Sequence, residues 1–335
     1  MSFSKNPLVI HHNDHDGWAA AWVLRNYHAG LDEVDFLEVR YGDPVPDLSE
    51  RSEVWIVDFS WAPYELFPAI EAAGDSLGKL YLLDHHKTAA DLWTPVQVEA
   101  ARTLGHTVLI DQDRAGCQIT WDFLQEMQKA PTGENTTPLL VQYIADRDLW
   151  RFELDYSNAI NLAIMSRDLN FDVLDDLHED MMKSKNPLIH EGLTLLRQKR
   201  INIAQMMKHT QILFISGCPV AAVNACSHMS DLGHDLASHY GIPGCVWFIQ
   251  GNGNIKVSFR SLKHPSRRRE PVTARTLATL LGGGGHDHAA AARVPMDQWA
   301  PYLKNARPAP PEVVESRNLE EHLLHWAYLQ GGGDR

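Results

Sequence analysis

Histidines and aspartates cluster in three short runs near the start of the chain. The runs are HHNDHDG at residues 11–17, VDFS at residues 57–60 and LDHHK at residues 83–87. Imidazole nitrogens and carboxylate oxygens are ligands for divalent cations such as manganese and magnesium. Two such cations held close together hydrolyse phosphate esters, because they activate a water and neutralise the phosphoryl oxygens. The residue types therefore point to metal-assisted hydrolysis.

The first run places His12, Asp14 and Asp16 at alternate positions. Alternate side chains of an extended segment project to the same side, so three ligands would converge at one strand end. Two alternatives stay open for this run. Asp14 or Asp16 could instead cap the apolar helix that follows, and His11 could replace His12 as the ligand.

The other two runs each follow an apolar strand. VWIVD ends at Asp58, a position suited to a carboxylate shared by two metals, although a loop aspartate that accepts backbone hydrogen bonds is the competing interpretation. KLYLLD ends at Asp84, and His85 and His86 follow it. One imidazole of this pair can bind metal while the other faces the substrate. Surface-loop histidines are the alternative, and three such strand ends in succession argue against it.

Apolar runs alternate with helical stretches from residue 7 onward, which predicts repeated βα units. The expected fold class is α/β, with an N-terminal, mostly parallel sheet that carries helices on both faces. Ligands of such sheets bind at the carboxyl ends of the strands. The predicted strands are PLVIHH, DFLEVRY, VWIVDFS, KLYLLDHH and TVLIDQD, with helices at GWAAAWVLRNYH, PYELFPAIEAAG and residues 116–129 and 138–149.

The second half of the chain is predicted to form a helical connector and a smaller C-terminal α/β domain. ILFISG, PVAAVNA, GCVWFIQ and NIKVSFRS are strand candidates, and VTARTLATLLGGGGHDHAAAARV is interpreted as a helix, a glycine loop and the start of another helix. The predicted boundaries are residues 1–180 for a catalytic domain, 181–209 for the connector, 210–304 for the second domain and 305–335 for a tail with a short helix.

Two features of the second domain could hold an anion. The glycine run 282–285 and His286 are expected to expose backbone N–H groups at a helix start, although a flexible loop is the alternative. Arg260 and Ser261 end a predicted strand, where a guanidinium can clamp a phosphate. The basic run KHPSRRR at residues 263–269 could add a phosphate contact, but a solvated loop is the favoured interpretation.

Composition narrows the classes of function. A chain of 335 residues with 44% hydrophobic and 22% charged residues is typical of globular proteins and long enough for about two domains. A net charge of −13 disfavours binding along a long nucleic-acid backbone and leaves short anionic ligands allowed. The four cysteines show no CxxC pairing, which favours reduced thiols. We expect a cytoplasmic protein with no membrane partner, since no leader or span-length apolar run is visible.

In order, the runs resemble the motifs of the DHH phosphoesterase superfamily: HxDxDG, a strand-terminal Asp, Asp-His-His and a fourth motif at Asp146 in YIADRDLWRF. GGGGHDHAAAA resembles the glycine-rich signature of the accompanying DHHA1 domain, without its closing glycine. The resemblance covers roughly residues 6–300. The superfamily includes RecJ-like exonucleases, nanoRNA and cyclic-dinucleotide phosphodiesterases, exopolyphosphatases and family II pyrophosphatases.

The resemblance implies a site for two divalent cations, with manganese favoured and magnesium as the alternative. Asp58 would bridge them, and Asp148 competes with Asp146 for one ligand position. His86 would contact the scissile phosphate or assist the leaving group, with Asp84 orienting the histidine pair. The implied metal ligands are His12, Asp14, Asp16, Asp58, His85 and Asp146. The implied substrate-binding residues of the DHHA1 domain are Arg260, Ser261, Gly283, Gly284, Gly285 and His286.

The predicted function is two-metal hydrolysis of phosphodiester bonds in a short nucleotide substrate, such as a nanoRNA or a linear dinucleotide, in the manner of an exonuclease. Exopolyphosphatase, nucleotide phosphatase and cyclic-dinucleotide phosphodiesterase are the alternatives among enzymes. A nucleotide-sensing binding module is the alternative outside them. The expected partner is the short oligonucleotide or nucleotide itself, and long duplex nucleic acid is not expected. The oligomeric state stays open, with a homodimer as one option.

Overall fold

A computed structural model of the chain describes residues 6–29, 33–128, 136–262 and 272–309. These residues form two compact units, which divide between Leu196 and Arg197. The basic run 263–269 and the predicted terminal helix NLEEHLLHWAYLQ lie outside the described residues. Within the described ranges, no helix combines the length and the apolar character needed to cross a bilayer.

The first unit is built on a sheet of five parallel strands in the order β2-β1-β3-β4-β5. Because the three central strands β1, β3 and β4 run side by side, their carboxyl ends meet at one edge of the sheet. The strands are β1 Leu8–His12, β2 Asp35–Val39, β3 Arg51–Val57, β4 Leu77–Asp84 and β5 Thr107–Ile110.

Helices cover both faces of this sheet, as the sequence predicted. Within β3, Trp55 and Val57 pack in one apolar cluster, whereas Val54 and Ile56 pack in another, because successive strand residues point to opposite faces. The first cluster contains residues of α1, α5, α6, α7 and α8, and the second contains residues of α2, α3 and α4. The helices are α1 His15–Tyr27, α2 Pro63–Ala73, α3 Lys87–Leu92, α4 Pro95–Thr103, α5 Gly116–Gln128, α6 Leu139–Asp148, α7 Ser157–Met165 and α8 Phe171–Met182.

The second unit is a mixed sheet of seven strands in the order β10-β11-β9-β8-β7-β6-β12. Only the β7–β8 pair is parallel within the part of the unit that the structure describes. Helix α9, Pro187–Met207, spans the division between the units. The other elements are β6 Gln211–Ile215, β7 Cys218–Asn224, α10 Met229–Tyr240, β8 Gly244–Ile249, β9 Ile255–Arg260, α11 Ala274–Leu280, β10 Gly284–Gly285, β11 Ala289–Val294, α12 Met296–Lys304 and β12 Arg307–Pro308.

The alanine run after the glycines is a strand, so the predicted helix start at this position is wrong. Alanine is the best intrinsic helix former, yet β11 pairs with β9 along its whole length and with β10 on its other side. Strand pairing outweighs the local preference, because the small alanine side chains also fit the apolar cluster beneath, where Ala290 and Ala292 are buried.

Two of the glycines are required by this strand pairing. A Cβ atom on Gly283 would lie 2.1 Å from the carbonyl oxygen of Ala291, and one on Gly285 would lie 2.7 Å from that of Ala289. Gly285 also has a φ of +135°, which L side chains rarely adopt. The neighbouring Gly284 is different, since a Cβ atom there would meet nothing within 4 Å.

We therefore predict that Gly283→Ala destabilises the protein by at least about 2 kcal/mol, because backbone atoms of β11 must move to admit the methyl group. Gly284→Ala is the matched control and should change the free energy of unfolding by less than about 0.5 kcal/mol. Urea unfolding followed by circular dichroism measures both variants. Equal stability of the two would contradict the close packing described for Gly283.

Candidate metal centre

The three histidine and aspartate runs meet at the carboxyl edge of the parallel sheet. β1 ends at His12, Asp58 directly follows β3, and β4 ends at Asp84 with His85 behind it. Among the described residues there are three groups of possible metal ligands, and within each group the ligand atoms lie within 4.8 Å of one another. They are His12 with Asp14 and Asp58, Asp58 with His85 and His86, and Asp16 with His85 and Asp148.

Asp58 and His85 each belong to two of the three groups, and Asp58 is the carboxylate that two groups share. Its side chain is fully buried, and its φ of 55° is the left-handed conformation that a non-glycine residue seldom adopts. Neither carboxylate oxygen has a hydrogen-bond partner among the described residues. The Oδ1 atom lies 3.2 Å from His85 Nε2, and Oδ2 lies 3.7 Å from His12 Nδ1.

A buried carboxylate without hydrogen bonds is costly unless a cation neutralises it. Burial and the negative charges of Asp16 and Asp14 raise the pKa of Asp58 well above its usual value. In the described part of the chain, the ion-pair contacts of these carboxylates are all to histidine rings. Burial also lowers the pKa of His85, which favours the neutral imidazole that metals bind. The donor set thus fits divalent cations.

His12 and Asp14 stand together at the end of β1. Asp14 Oδ1 accepts a hydrogen bond from the Gly17 backbone N–H at 3.0 Å, while Oδ2 lies 2.8 Å from His12 Nδ1. Asp14 therefore caps helix α1 and also faces the cluster, so the two interpretations of this residue are compatible. Burial alone would raise the pKa of Asp14, but the contact with His12 holds it well below its usual value. His11 is outside the cluster, since it is buried and its Nδ1 lies 2.9 Å from the His12 carbonyl oxygen.

Asp16 is held by the amino-terminal end of helix α5, a contact that the sequence did not reveal. The backbone N–H groups of Gly116 and Cys117 donate to its two carboxylate oxygens at 2.6 and 2.9 Å. A Cβ atom on Gly116 would lie only 2.5 Å from the Asp58 Cβ atom. The glycine at this predicted helix start was the available signal, because it admits Asp58 and presents its N–H to Asp16.

Asp148 occupies the position that the sequence favoured for Asp146. Asp148 Oδ2 lies 3.5 Å from His85 Nε2, and the side chain is 31% exposed. Asp146 is buried and faces the other way, where its carboxylate accepts hydrogen bonds from the Glu153 backbone N–H at 2.9 Å and from the Ser157 hydroxyl. Residues two apart on a helix face different directions, so the tertiary structure decides which one joins the cluster.

Asp84 and His86 form a hydrogen-bonded pair beside Asp58. Asp84 Oδ1 lies 2.8 Å from His86 Nδ1 and accepts hydrogen bonds from the backbone N–H groups of His85 and His86. This contact holds the His86 ring against Asp84, and the expected role of Asp84 in orienting the histidine pair stays a prediction. Burial lowers the pKa of His86, but the hydrogen bond and negative charge of Asp84 outweigh it and raise the pKa to about 9.

Comparison with known proteins identifies one domain of the chain and a similar fold. A model of the DHHA1 domain matches residues 219–306. The chain is also similar to RecJ in complex with Mn²⁺ from Thermus thermophilus, with 14% identity and a TM-score of 0.52 over 90% of this chain and 51% of that one. The chain therefore has a RecJ-like fold, and its second unit carries the DHHA1 domain.

Two further solved structures align with the chain. One is a pGpG-specific phosphodiesterase, PggH, from Vibrio cholerae, with 14% identity and a TM-score of 0.49 over 98% of this chain and all of that one (100%). The other is an uncharacterized protein from Helicobacter pylori G27, with 15% identity and a TM-score of 0.40 over 96% of this chain and 98% of that one. No curated protein sequence matches the chain significantly.

The predicted substrate-binding residues lie together in the DHHA1 domain. Arg260 Nη2 donates to the Ser230 hydroxyl at 2.6 Å. The Ser261 hydroxyl accepts from the Ala274 backbone N–H at 3.0 Å and lies 3.2 Å from His288 Nδ1. Ser261 therefore ties β9 to the start of α11.

The glycine run of the DHHA1 domain differs from the expected open loop. The N–H groups of Gly282 and Gly283 donate to carbonyl groups at the end of α11, and that of His286 donates to Ala289 in the β10–β11 turn. Because these three N–H groups donate to backbone carbonyls, they do not form the anion-binding site that the sequence predicted. Gly284 and Gly285 form β10. His286 is exposed in the β10–β11 turn, and its substrate role stays a prediction.

We predict that Asp148→Asn weakens manganese binding about tenfold or more, whereas Asp146→Asn leaves it unchanged. Partial burial and the charges of Asp16 and Asp14 raise the pKa of Asp148, so its charge destabilises the metal-free fold above the usual carboxyl pKa. Asp148→Asn should therefore match or exceed the stability of the metal-free wild type at pH 7.

Asp146→Asn should instead cost about 1–3 kcal/mol of stability, because an amide NH₂ would face the donors that the carboxylate now accepts from. For both variants, calorimetric titration with Mn²⁺ measures the metal affinity, and thermal unfolding in a chelator measures the stability of the metal-free protein. If Asp146→Asn weakened Mn²⁺ binding and Asp148→Asn did not, Asp146 would be the ligand.

In metal-free protein, His86 should titrate near pH 9 and remain protonated at neutral pH. Asp84→Asn removes the charge that stabilises the imidazolium, so the pKa should fall by more than one unit toward its usual 6.5. Histidine ring resonances followed by NMR in the presence of a chelator report the value. An unchanged pKa in the variant would show that Asp84 does not control this ring.

Proposed function

We propose that this protein hydrolyses phosphodiester bonds in short nucleotide substrates with the help of two divalent cations, manganese being favoured. The observation that carries the proposal is the buried carboxylate of Asp58, which is shared by two groups of ligand atoms and has no hydrogen-bond partner among the described residues. Such a carboxylate is suited to be shared by two cations, because its oxygens are not committed to hydrogen bonds.

The ligands of the cluster form two sets, one for each proposed cation. His12 and Asp14 would hold one cation with one oxygen of Asp58. Asp16, His85 and Asp148 would hold the other with the second oxygen. When bound, the cations lower the pKa of a water and neutralise charge on the phosphoryl oxygens.

His86 is the group best placed to act on the substrate. Asp84 contacts its Nδ1 at 2.8 Å, so the orientation of the ring toward a phosphoryl or leaving-group oxygen would be set before the substrate binds. A protonated ring at neutral pH can donate a hydrogen bond there and stabilise the charge that develops on the departing oxygen. The pair resembles a general acid with its orienting carboxylate.

A short substrate is favoured over a long one by the charge of the chain. A net charge of −13 opposes the phosphate-by-phosphate contacts that long nucleic acids make, whereas a metal centre attracts one phosphate locally. The DHHA1 domain would hold the rest of the nucleotide through Arg260, Ser261 and the exposed His286. One of the solved structures that align with the chain is described as exonuclease RecJ.

A metal-by-substrate matrix tests the proposal. Metal-free protein is incubated with Mn²⁺, Mg²⁺ or Zn²⁺ and with linear dinucleotides, a cyclic dinucleotide, polyphosphate or a nucleoside 3′,5′-bisphosphate. We expect mononucleotide release from linear dinucleotides, fastest with Mn²⁺, and none in a chelator. Orthophosphate release from polyphosphate alone would replace the proposal with an exopolyphosphatase. Tight dinucleotide binding without hydrolysis would favour a sensing module.

Asp58→Asn should lower kcat/KM for the best dinucleotide by about a thousandfold or more, because loss of the bridging charge removes several kcal/mol of transition-state stabilisation. Asp75→Asn is the matched control, since Asp75 is exposed and belongs to none of the three groups. Initial rates at saturating Mn²⁺ measure both variants. Turnover by Asp58→Asn close to that of Asp75→Asn would reject the bridging assignment.

A further inference from the structure

An exposed aromatic ring borders the metal centre. Tyr41 lies just after β2 and is 53% exposed, and its ring centroid lies 5.4 Å from that of His12 and 5.7 Å from that of His86. It also packs against Phe59, with centroids 4.9 Å apart, and Phe59 itself is buried. About half of the Tyr41 surface is therefore accessible next to a proposed metal ligand and the proposed general acid.

A tight turn holds this ring in place. The Asp43 backbone N–H donates to the Arg40 carbonyl at 3.0 Å, and the Arg40 N–H donates to Asp43 Oδ2 at 2.8 Å. Gly42, the third residue of the turn, has a φ of 104°, a value that favours glycine there. Tyr41 occupies the second position, so the backbone sets the direction of its side chain.

The turn is also tied to the elements around the metal centre. The Trp61 indole N–H donates to the Asp43 carbonyl at 2.8 Å. With its carboxamide oxygen turned toward the guanidinium, Asn13 of the first motif accepts from Arg40 Nε at 2.8 Å. A ring fixed in this way loses little conformational entropy when a ligand covers it, which is the general advantage of a preorganised aromatic contact.

We infer that Tyr41 is a stacking surface for one nucleobase of the substrate whose phosphate lies at the metal centre. The inference rests on the proposed function and identifies a base-dependent contact in the first unit. Every nucleobase has a flat π-face, so an exposed ring beside the cluster selects base-bearing phosphodiesters without selecting a base sequence. Polyphosphate and other base-free anions gain nothing from this contact.

The test compares the full-length, Mn²⁺-loaded protein on a linear dinucleotide and on its two singly abasic analogues. Tyr41→Leu should raise KM for the dinucleotide about 5- to 150-fold, with kcat changed less than KM. With the analogue that lacks the stacked base, wild type and Tyr41→Leu should have similar KM values. Tyr41→Phe restores the ring and should recover most of the loss. Tyr64→Leu, at a 74% exposed tyrosine on α2, is the control and should match the wild type.

Two outcomes would overturn the inference. An equal effect of Tyr41→Leu on the dinucleotide and on both abasic analogues would assign Tyr41 a structural role. A loss in Tyr41→Phe as large as in Tyr41→Leu would assign the effect to the hydroxyl group. A binding experiment separates this inference from the proposed function, because it compares GMP with ribose 5-phosphate, which lacks the base, on the Mn²⁺-loaded protein. Even if the wild type hydrolyses no dinucleotide, stacking is supported when Tyr41→Leu weakens the binding of GMP but not of ribose 5-phosphate. An unchanged GMP affinity in Tyr41→Leu rejects stacking.

Discussion

Repulsion among buried carboxylates is the constraint around which the first unit is organised. Asp58 has no hydrogen bond among the described residues, and the charges of Asp16 and Asp14 act on it directly. An isolated buried charge costs several kcal/mol, so such a carboxylate is neutralised either by a proton, as the raised pKa of Asp58 indicates, or by a cation. A cation held by this cluster would couple metal affinity to the stability of the unit.

The parallel sheet makes this concentration of charge possible. Its three central strands end at one edge, and each contributes a polar residue at the point where its buried run stops, which brings distant parts of the sequence together. Helix α5 supports the arrangement from outside, since its first backbone amides stabilise Asp16. The partial positive charge of a helix amino terminus offsets part of the repulsion.

In the second unit, small residues allow the strands to pack closely. The glycines and alanines of its signature allow β10 and β11 to approach closely, and three amides of the glycine run are used by the backbone itself. The polar residues of this unit, among them Arg260 and Ser261, are anchored to neighbouring elements, so any contact with substrate starts from defined positions.

The sequence alone determined the α/β fold class, the strand ends and most members of the cluster, because alternation of apolar runs and polar strand ends is a local pattern. It could not choose between His11 and His12 or between Asp146 and Asp148, since each choice depends on which side of a strand end or helix faces the sheet edge. Only the tertiary structure showed that Asp146 instead binds the loop that follows it. Long-range pairing likewise turned an alanine run with strong helix preference into strand β11, because contacts with β9 outweigh a preference of a fraction of a kcal/mol per residue.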